Sequence, residues 1–280
     1  MKSKVQGSYE GWDSVWKGEK DSNQLNPHFT LNEPKTIYQF WQKTYANDLL
    51  NLIKDKSYKT FCELGSGRGT TSMYLSKAGY EDITMVDLAE NGFKVSIKSF
   101  ADYNLKQPTF LLADVEKTGL PSGNFDCIYN IGLLEHFEIP DKTLIEAYRL
   151  LKPGGMIFMP IVPKLPFWKS AVTRIFFNPI SLIKHIVKVL FGFKKSENSN
   201  IFRNELDRNY YLNACHKIGY NNVICIPYNP YWKVNDDGFI EKKFTLPIYL
   251  LHYKFFKKRQ NISYRCNPLF EACYLLLAYK

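Results

Sequence analysis

The chain lacks the sequence patterns that mark several protein classes. Its six cysteines include no Cys-x-x-Cys pair, so zinc-ribbon and dithiol redox sites have no ligand pattern here. No uninterrupted apolar run approaches the ~20 residues that a membrane-spanning helix needs. Residues 1–20 are polar and contain no apolar stretch of the kind that a secretory signal carries. We therefore expect a cytoplasmic globular protein whose cysteines are reduced.

Acidic side chains are absent from residues 163–195, although the chain carries 27 in all. The segment holds seven Lys and Arg residues, which account for most of the formal net charge of +10. Between residues 180 and 195 the polar side chains recur at helical spacing, and the remaining positions are apolar. Basic amphipathic helices of this kind bind the surface of anionic membranes. Two other interpretations stay open, namely a lid over a substrate pocket and a dimer interface.

The most informative motif is the glycine-rich loop at residues 63–69, Glu-Leu-Gly-Ser-Gly-Arg-Gly. A short apolar run precedes it and a helical pattern begins near Thr70, which is the layout of a nucleotide-binding βα unit. Glycines permit positive φ angles and let the backbone approach a ligand closely. The spacing is G-x-G-x-G after an acidic residue, whereas dinucleotide enzymes have G-x-G-x-x-G. A carboxylate at the strand end suits a cationic group better than a pyrophosphate.

Four later segments continue the alternation of strands and helices, and all five motifs fall within residues 61–162. They are residues 83–87, 110–115, 125–130 and 150–160. The first ends in Asp87, and a carboxylate at that strand tip can accept hydrogen bonds from both hydroxyls of a ribose. The second is predicted to be a strand that ends near Asp114. The last begins with Leu-Leu-Lys-Pro-Gly-Gly, which is predicted to end a helix and turn into a strand at Met156.

In this order and spacing the motifs resemble the class I S-adenosylmethionine (SAM) methyltransferases. The resemblance implies an α/β, Rossmann-like fold with a seven-stranded, mostly parallel sheet, helices on both faces, and SAM as the cofactor. The cofactor-binding residues that it implies are Glu63, Gly65, Ser66, Gly67, Gly69, Asp87, Leu88, Asp114, Val115 and Asn130. Within this set, Asp87 would bind the ribose, and Asp114 with Val115 the adenine. Glu63 and Asn130 would lie beside the methionine moiety.

His136 is the candidate general base. It follows the fourth strand, at the edge where ligands bind in open α/β sheets, and histidine accepts a proton near neutral pH. A purely structural role is the alternative, since Leu-Glu-His occurs in methyltransferases of many specificities. The insertion after the fifth strand is similar to that of the ubiquinone-biosynthesis O-methyltransferases, in which a Glu-x-x-Glu-His motif supports a divalent metal. Here Gly132 replaces the first glutamate while Glu135 remains, and we predict no metal site.

The chain is predicted to have four parts. They are an N-terminal arm and helix that cap the cofactor site (1–57), a SAM-binding core (58–162), a basic helical insertion (163–208) and a C-terminal part with strands six and seven (209–280). Helical periodicity covers residues 33–54, and we expect that helix to pack beside the first strand. The sixth strand is predicted at 223–227 and a reversed seventh at 272–279. The arm residues that either clamp the cofactor or pack on the core are Trp12, Trp16, His28 and Phe29.

The function that these features favour is O-methylation of a small-molecule or lipid-linked acceptor, quinone-like or a cell-envelope glycan, near a membrane. An RNA methyltransferase is a second hypothesis because the pI is about 9.1. The concentration of charge in apolar amphipathic segments argues against nucleic acid as a partner. A non-catalytic SAM-fold subunit is a third hypothesis, which the intact glycine loop disfavours. We expect a cytoplasmic protein with peripheral contact at the inner face of an anionic membrane through residues 163–195; the sequence indicates no oligomeric state.

Overall fold

The computed structural model describes residues 25–164, 202–228, 246–247, 250–251, 271 and 273–280. The main helices and strands in these ranges are α1 (Ile37–Ile53), β1 (Thr60–Leu64), α2 (Thr70–Lys77), β2 (Asp82–Asp87), α3 (Glu90–Asp102), β3 (Thr109–Leu112), β4 (Phe125–Tyr129), α4 (Asp141–Leu150), β5 (Leu151–Ile161), α5 (Arg208–Ile218), β6 (Asn221–Tyr228) and β7 (Cys273–Tyr279). A 3-10 turn, Leu134–His136, lies between β4 and α4.

The strands form one seven-stranded sheet in the order β3-β2-β1-β4-β5-β7-β6. Strands β1 to β5 pair in parallel, and β7 runs antiparallel to both β5 and β6. The predicted α/β architecture with a reversed last strand is therefore confirmed. The direction in which successive strands are added reverses between β1 and β4, and this arrangement opens a crevice at the carboxyl ends of those two strands.

Both faces of the sheet are covered by helices, as a parallel sheet requires. Phe61 and Tyr129 point to the face that packs against α1, α2 and α3. Cys62 and Ile128, the neighbouring positions, point to the face that packs against α4 and α5. The side chains of all four are fully buried, which explains why β1 and β4 read as continuous apolar runs in the sequence.

The third strand is shorter than predicted. It ends at Leu112, and the chain turns at Asp114, whose Oδ1 atom accepts a hydrogen bond from the Glu116 backbone N–H at 2.9 Å. The Asp114 carbonyl also accepts one from the Lys117 N–H at 3.0 Å. Side chains of aspartate form such turns readily because they imitate the backbone. Asp114 therefore lies in a turn after the strand.

The fifth strand is longer than predicted, because it begins at Leu151 directly after α4 rather than at Met156. Leu151 pairs with Phe125, and the next pairing along the ladder is Met156 with Cys127. The residues between the two pairs form a bulge in β5. The Pro-Gly-Gly segment is thus an irregularity within the strand.

The N-terminal helix α1 begins at Ile37, four residues later than predicted. Thr36 caps it, since its Oγ1 atom accepts a hydrogen bond from the Gln39 N–H at 3.1 Å. Near the other end, the buried Asp48 carboxylate accepts a hydrogen bond from the Tyr228 hydroxyl at 2.6 Å. This bond ties α1 to β6.

Several predictions fall outside the described residues. They include the two tryptophans of the arm, Trp12 and Trp16, and nearly all of the basic insertion, residues 165–201. The amphipathic helices of that insertion therefore stay predictions. In the part of the chain that is described, no helix combines the length and apolarity needed to cross a bilayer.

Candidate active site

A cavity of about 830 Å³ lies at the carboxyl ends of β1 and β4, where the strand order reverses. Its volume falls in the range of about 300–1,000 Å³ that is usual for small-molecule sites. The predicted site residues that line it are Glu63, Gly65, Ser66, Gly67, Asp87, Leu88, Asp114, Val115 and His136. The structure thus brings together nine of the residues singled out from the sequence. Gly69 and Asn130 are not among the lining residues.

The glycine-rich loop is held tightly at the end of β2. Positive φ angles occur at Gly65 (63°), Gly67 (49°) and Gly69 (62°). The Gly65 and Ser66 N–H groups donate to the Val86 carbonyl at 2.8 and 3.1 Å. A Cβ atom on Gly65 would lie 2.6 Å from Leu133 Cδ1. Glycine at this position therefore permits both the left-handed backbone and the close contact with the segment that follows β4.

Gly69 and Asn130 support the site from behind it. Gly69 precedes α2, and a Cβ atom there would lie 2.4 Å from Met85 Cε. A side chain at Gly69 would have to displace the end of the Met85 side chain on β2, and the positive φ would strain it. Asn130 is fully buried at the end of β4, where its N–H donates to the Phe158 carbonyl at 3.2 Å. Neither residue was predicted to act in this way.

Asp87 ends β2 with its carboxylate engaged by the backbone. Its Oδ2 atom accepts a hydrogen bond from the Gly67 N–H at 2.7 Å, and Oδ1 accepts one from the Ala89 N–H at 2.8 Å. Burial raises the pKa of this carboxyl, and the backbone hydrogen bonds act in the opposite direction. A carboxylate has about four acceptor positions. Asp87 can therefore accept a hydrogen bond from a ligand while it keeps the loop in place.

Glu63 lies at the end of β1 in a buried hydrogen-bonded chain. The Ser72 hydroxyl donates to Glu63 Oε2 at 2.5 Å, and the Tyr129 hydroxyl lies 2.7 Å from Ser72 Oγ. Only 3% of the Glu63 side chain is exposed, and burial raises its pKa to about 8. A cation that enters the cavity beside it would favour the ionised carboxylate.

His136 lies on the cavity wall in the 3-10 turn. Its Nδ1 atom is 2.7 Å from the Phe202 carbonyl oxygen. A carbonyl oxygen only accepts hydrogen bonds, so Nδ1 carries the proton and Nε2 is the acceptor nitrogen of the neutral ring. Nε2 lies 3.9 Å from Glu135 Oε1. This tautomer is the one that a general base acting through Nε2 requires.

Helix α1 supplies a largely aromatic wall, whose individual residues were not predicted to line the site. The four residues that it contributes to the cavity are Tyr38, Trp41, Gln42 and Tyr45. Their spacing of three and four residues places them on one helical face. The helix was predicted to cap the cofactor site, but its aromatic residues were assigned only to packing beside β1. The wall offers large apolar surfaces to a ligand in the cavity.

The N-terminal arm reaches the glycine-rich loop. His28 lines the cavity and stacks on Tyr38 with ring centroids 5.0 Å apart, and the Arg68 Nη1 atom lies 3.2 Å from His28 Nδ1. Asn26 Nδ2 donates to the Arg68 carbonyl at 3.2 Å. Phe29, by contrast, is buried in the core. Of the two predicted clamp residues that are described, one therefore faces the cavity and the other packs on the core.

Gly92 in α3 brings that helix against the glycine-rich loop. A Cβ atom on Gly92 would lie 2.8 Å from the carbonyl oxygen of Gly67. The neighbouring turn of α3 contributes Ser96, whose hydroxyl lies 3.5 Å from the same oxygen. A glycine inside a helical pattern was the only sequence signal for this contact.

We expect Gly92→Ala to destabilise the protein, although alanine is favoured over glycine in helices by about 1 kcal/mol. The new methyl group meets backbone atoms of the loop, so α3 and the loop must separate. The free energy of unfolding should fall by about 1–3 kcal/mol, and affinity for the expected cofactor should fall with it. Urea unfolding and calorimetric titration measure the two effects.

Gly155→Ala is the matched control. A Cβ atom there would lie 2.9 Å from the Asp126 carbonyl oxygen, in similarly close contact with backbone, but the three nearest atoms belong to Asp126, Leu151 and Lys152 and not to the glycine-rich loop. This variant should lose stability and keep its cofactor affinity. Equal cofactor affinities in the two variants would contradict the role assigned to Gly92.

Part of the chain is similar to known proteins. Residues 62–159 match the family described as "Methyltransferase domain". The chain is 28% identical over 160 residues to 2-methyl-6-phytyl-1,4-hydroquinone methyltransferase 2, chloroplastic, of Oryza sativa subsp. japonica, covering 56% of this chain and 44% of that protein. It is 29% identical over 100 residues to the ubiquinone biosynthesis O-methyltransferase of Hydrogenovibrio crunogenus, covering 36% of this chain and 41% of that protein. The chain thus spans less than half the length of these curated relatives.

A solved structure with the same fold is phosphoethanolamine N-methyltransferase 2 of Haemonchus contortus, in complex with phosphomonomethylethanolamine and S-adenosylhomocysteine. The TM-score is 0.52 at 14% identity, and the match covers 86% of this chain and 53% of that chain. At this identity the likeness shows the fold alone.

Proposed function

We propose that the chain, whose residues 62–159 match a methyltransferase domain family, transfers the methyl group of SAM to a hydroxyl group of a small-molecule or lipid-linked acceptor. The observation that carries the proposal is one continuous cavity. The glycine-rich loop and Asp87 line it together with His136 and the aromatic face of α1. Cofactor and acceptor can therefore meet in the same space.

The cofactor end of the cavity consists of carboxylates and backbone. Asp87 accepts the ribose hydroxyls, and Asp114 with Val115 frames the adenine. Glu63 faces the cationic methionine moiety across the loop. SAM supplies a methyl group that is already activated by its sulfonium, so the protein's task is to hold the acceptor in line with it. The buried carboxylates support this assignment, because they suit a cationic cofactor.

Methyl transfer to a hydroxyl requires removal of one proton. As the acceptor oxygen forms its bond to the methyl carbon, the bond between that carbon and sulfur breaks, and S-adenosylhomocysteine remains. The acceptor proton passes to His136 Nε2. The hydrogen bond from His136 Nδ1 to the Phe202 carbonyl holds the ring in the tautomer that can take it.

The four predicted parts of the chain are assigned in the same proposal. Residues 58–162 bind SAM, and residues 1–57 cap the site. The cap is supported by two contacts: Asn26 donates to the Arg68 carbonyl in the loop, and α1 lines the cavity. Residues 163–208 either form a lid over the acceptor or contact the membrane, and residues 209–280 complete the sheet.

Methyl transfer from isotope-labelled SAM to hydroquinone tests the proposed function. Hydroquinone is the probe because two relatives have quinone-type names. We expect a labelled methyl ether, and His136→Ala should lower kcat by about 10²–10⁴-fold with unchanged SAM affinity. His216→Ala, an exposed histidine on α5, is the control and should stay fully active. A fully active His136→Ala enzyme would show that His136 is not the general base and has a structural role.

We also propose that the protein contacts anionic membranes through residues 163–195. The support is the sequence pattern of that segment, with seven basic and no acidic residues. The variant Lys184→Glu/Lys188→Glu should lose flotation with phosphatidylserine vesicles and keep its SAM affinity. The control Lys77→Glu/Lys217→Glu makes the same change of net charge at exposed positions elsewhere. If the first variant floats as well as the control, the membrane proposal fails.

A further inference from the structure

Glu135 is a buried carboxylate on the wall of the cavity. Its side chain is 1% exposed, and it lies among the lining residues. Its Oε2 atom has no hydrogen-bond partner within the described structure. A buried carboxylate oxygen without a donor destabilises a fold. At the wall of a ligand cavity, a bound ligand can supply the missing hydrogen-bond donor.

The backbone around Glu135 is fixed in place. The Asn204 N–H donates to the Glu135 carbonyl at 2.7 Å, and Asn204 Nδ2 donates to the carbonyls of Leu134 and Phe137 at 3.0 and 2.9 Å. Gly132 lies beneath the carboxylate, since a Cβ atom there would be 3.1 Å from Glu135 Oε1. The 3-10 turn therefore holds Glu135 in the cavity wall in a set position, next to His136.

Glu146 is a buried carboxylate away from the cavity, and its hydrogen bonds can be compared with those of Glu135. It is 7% exposed, and its Oε1 atom accepts hydrogen bonds from the Thr118 N–H and hydroxyl at 2.9 and 2.6 Å. Arg149 binds both oxygens at 2.8 Å. These donors lower the pKa of Glu146 to about 2. Glu135 has no comparable set of donors on Oε2.

We propose that Glu135 binds the methyl acceptor by accepting a hydrogen bond from the hydroxyl or ammonium group that is to be methylated. The inference rests on the proposed function and extends it, because it assigns the residue that selects the acceptor. A hydroxyl acceptor donates its one O–H to Glu135 when it binds, and the same proton passes to the adjacent His136 Nε2 as the oxygen–methyl bond forms. An ammonium acceptor gives one proton to His136, which frees its lone pair, and keeps the remaining N–H groups for Glu135. An acceptor that lacks an O–H or N–H at this point leaves the carboxylate oxygen unpaired and is rejected.

The first test compares two matched variants without any acceptor. Glu135→Met removes an unpaired polar oxygen, so the melting temperature of the ligand-free protein should stay the same or rise by about 2–4 °C. Glu146→Met removes a fully bonded carboxylate and should lower it by at least as much. If Glu135→Met lowers the melting temperature as Glu146→Met does, the carboxylate is structural and the proposal is overturned.

The second test measures recognition in protein loaded with S-adenosylhomocysteine. The probe pairs are hydroquinone against 1,4-dimethoxybenzene, and benzylammonium against benzyltrimethylammonium; the second member of each lacks the donor. We expect wild type to prefer hydroquinone by about tenfold or more in Kd. Glu135→Met should reduce the preference to less than about threefold, and Glu135→Gln, which keeps a carbonyl oxygen, should restore part of it.

The outcomes separate this inference from the function on which it rests. A preference that survives in Glu135→Met overturns it, and so does a wild type with no preference in either pair. A tenfold loss of S-adenosylhomocysteine affinity in Glu135→Met would assign the residue to the cofactor instead. A preference that depends on Glu135 only in the ammonium pair supports recognition by Glu135 and contradicts O-methylation. A wild type that binds no S-adenosylhomocysteine contradicts the proposed function itself and removes the inference with it.

Discussion

Replacing Asp87 with alanine is expected to weaken SAM binding by at least tenfold. The carboxylate accepts hydrogen bonds from the Gly67 and Ala89 N–H groups, and in the proposed complex it also accepts both ribose hydroxyls. Hydrogen bonds to a charged group contribute about 1.5–3 kcal/mol each, so losing two of them in the complex corresponds to about a hundredfold or more. Isothermal titration calorimetry of the purified variants measures the change directly.

Asp82→Ala is the matched control for this prediction. Asp82 begins the same strand at its opposite end and is exposed, so its removal should leave SAM affinity unchanged. Asp87→Asn separates the two roles of Asp87, because the amide keeps one acceptor oxygen for the loop. An Asp87→Ala protein with wild-type affinity would remove the ribose assignment.

The second large effect concerns stability and pH. Burial raises the pKa of Glu63 from 4.5 to about 8 in the folded protein. Between these two values the folded state binds a proton that the unfolded chain has released, so stability falls as the pH rises through this interval. At 1.36 kcal/mol per pKa unit, the loss by pH 8 is roughly 3–5 kcal/mol. The Glu63→Gln variant has no ionisable group at this position, so it should not lose this stability as the pH rises.

We therefore compare the free energies of unfolding in urea of wild type and Glu63→Gln, both without cofactor, at pH 5 and pH 8. The variant should gain stability relative to wild type as the pH rises, and the difference between the two proteins cancels the contribution of other titrating groups. Glu81→Gln is the control, since Glu81 is exposed and lies 3.3 Å from Lys106 Nζ. A stability difference that does not change with pH would show that Glu63 ionises normally in the fold.

The parts of the site that could be predicted from the sequence are encoded in short segments. The glycine-rich loop and Asp87 each follow an apolar strand, and their spacing needs no knowledge of distant contacts. The position of the cavity followed from the order of strands and helices. The reversed β7 was expected from the resemblance to the SAM methyltransferases, since strand direction leaves no local signal. The ends of β3 and β5 were misplaced because the Asp114 turn and the β5 bulge depend on side-chain and pairing details.

The remaining residues could not be assigned because their roles depend on packing. The stripe of Trp41 and Tyr45 on α1 is equally consistent with a face buried against the sheet and with a face on a cavity, and both residues in fact belong to the core cluster as well. Gly92 contacts the glycine-rich loop only through the packing of α3 against it, which the sequence does not show. Glu135 is distinguished by the absence of a partner on Oε2 in the described structure, which no sequence pattern reports.

The measurement that tests the central claim most directly is a crystal structure of the full chain with S-adenosylhomocysteine. The account predicts the ligand in the 830 Å³ cavity, with both ribose hydroxyls within hydrogen-bond distance of Asp87 and the sulfur facing the side of the cavity that holds Glu135 and His136. A complex in which the ribose contacts another residue, or in which the sulfur faces away from His136, would contradict it.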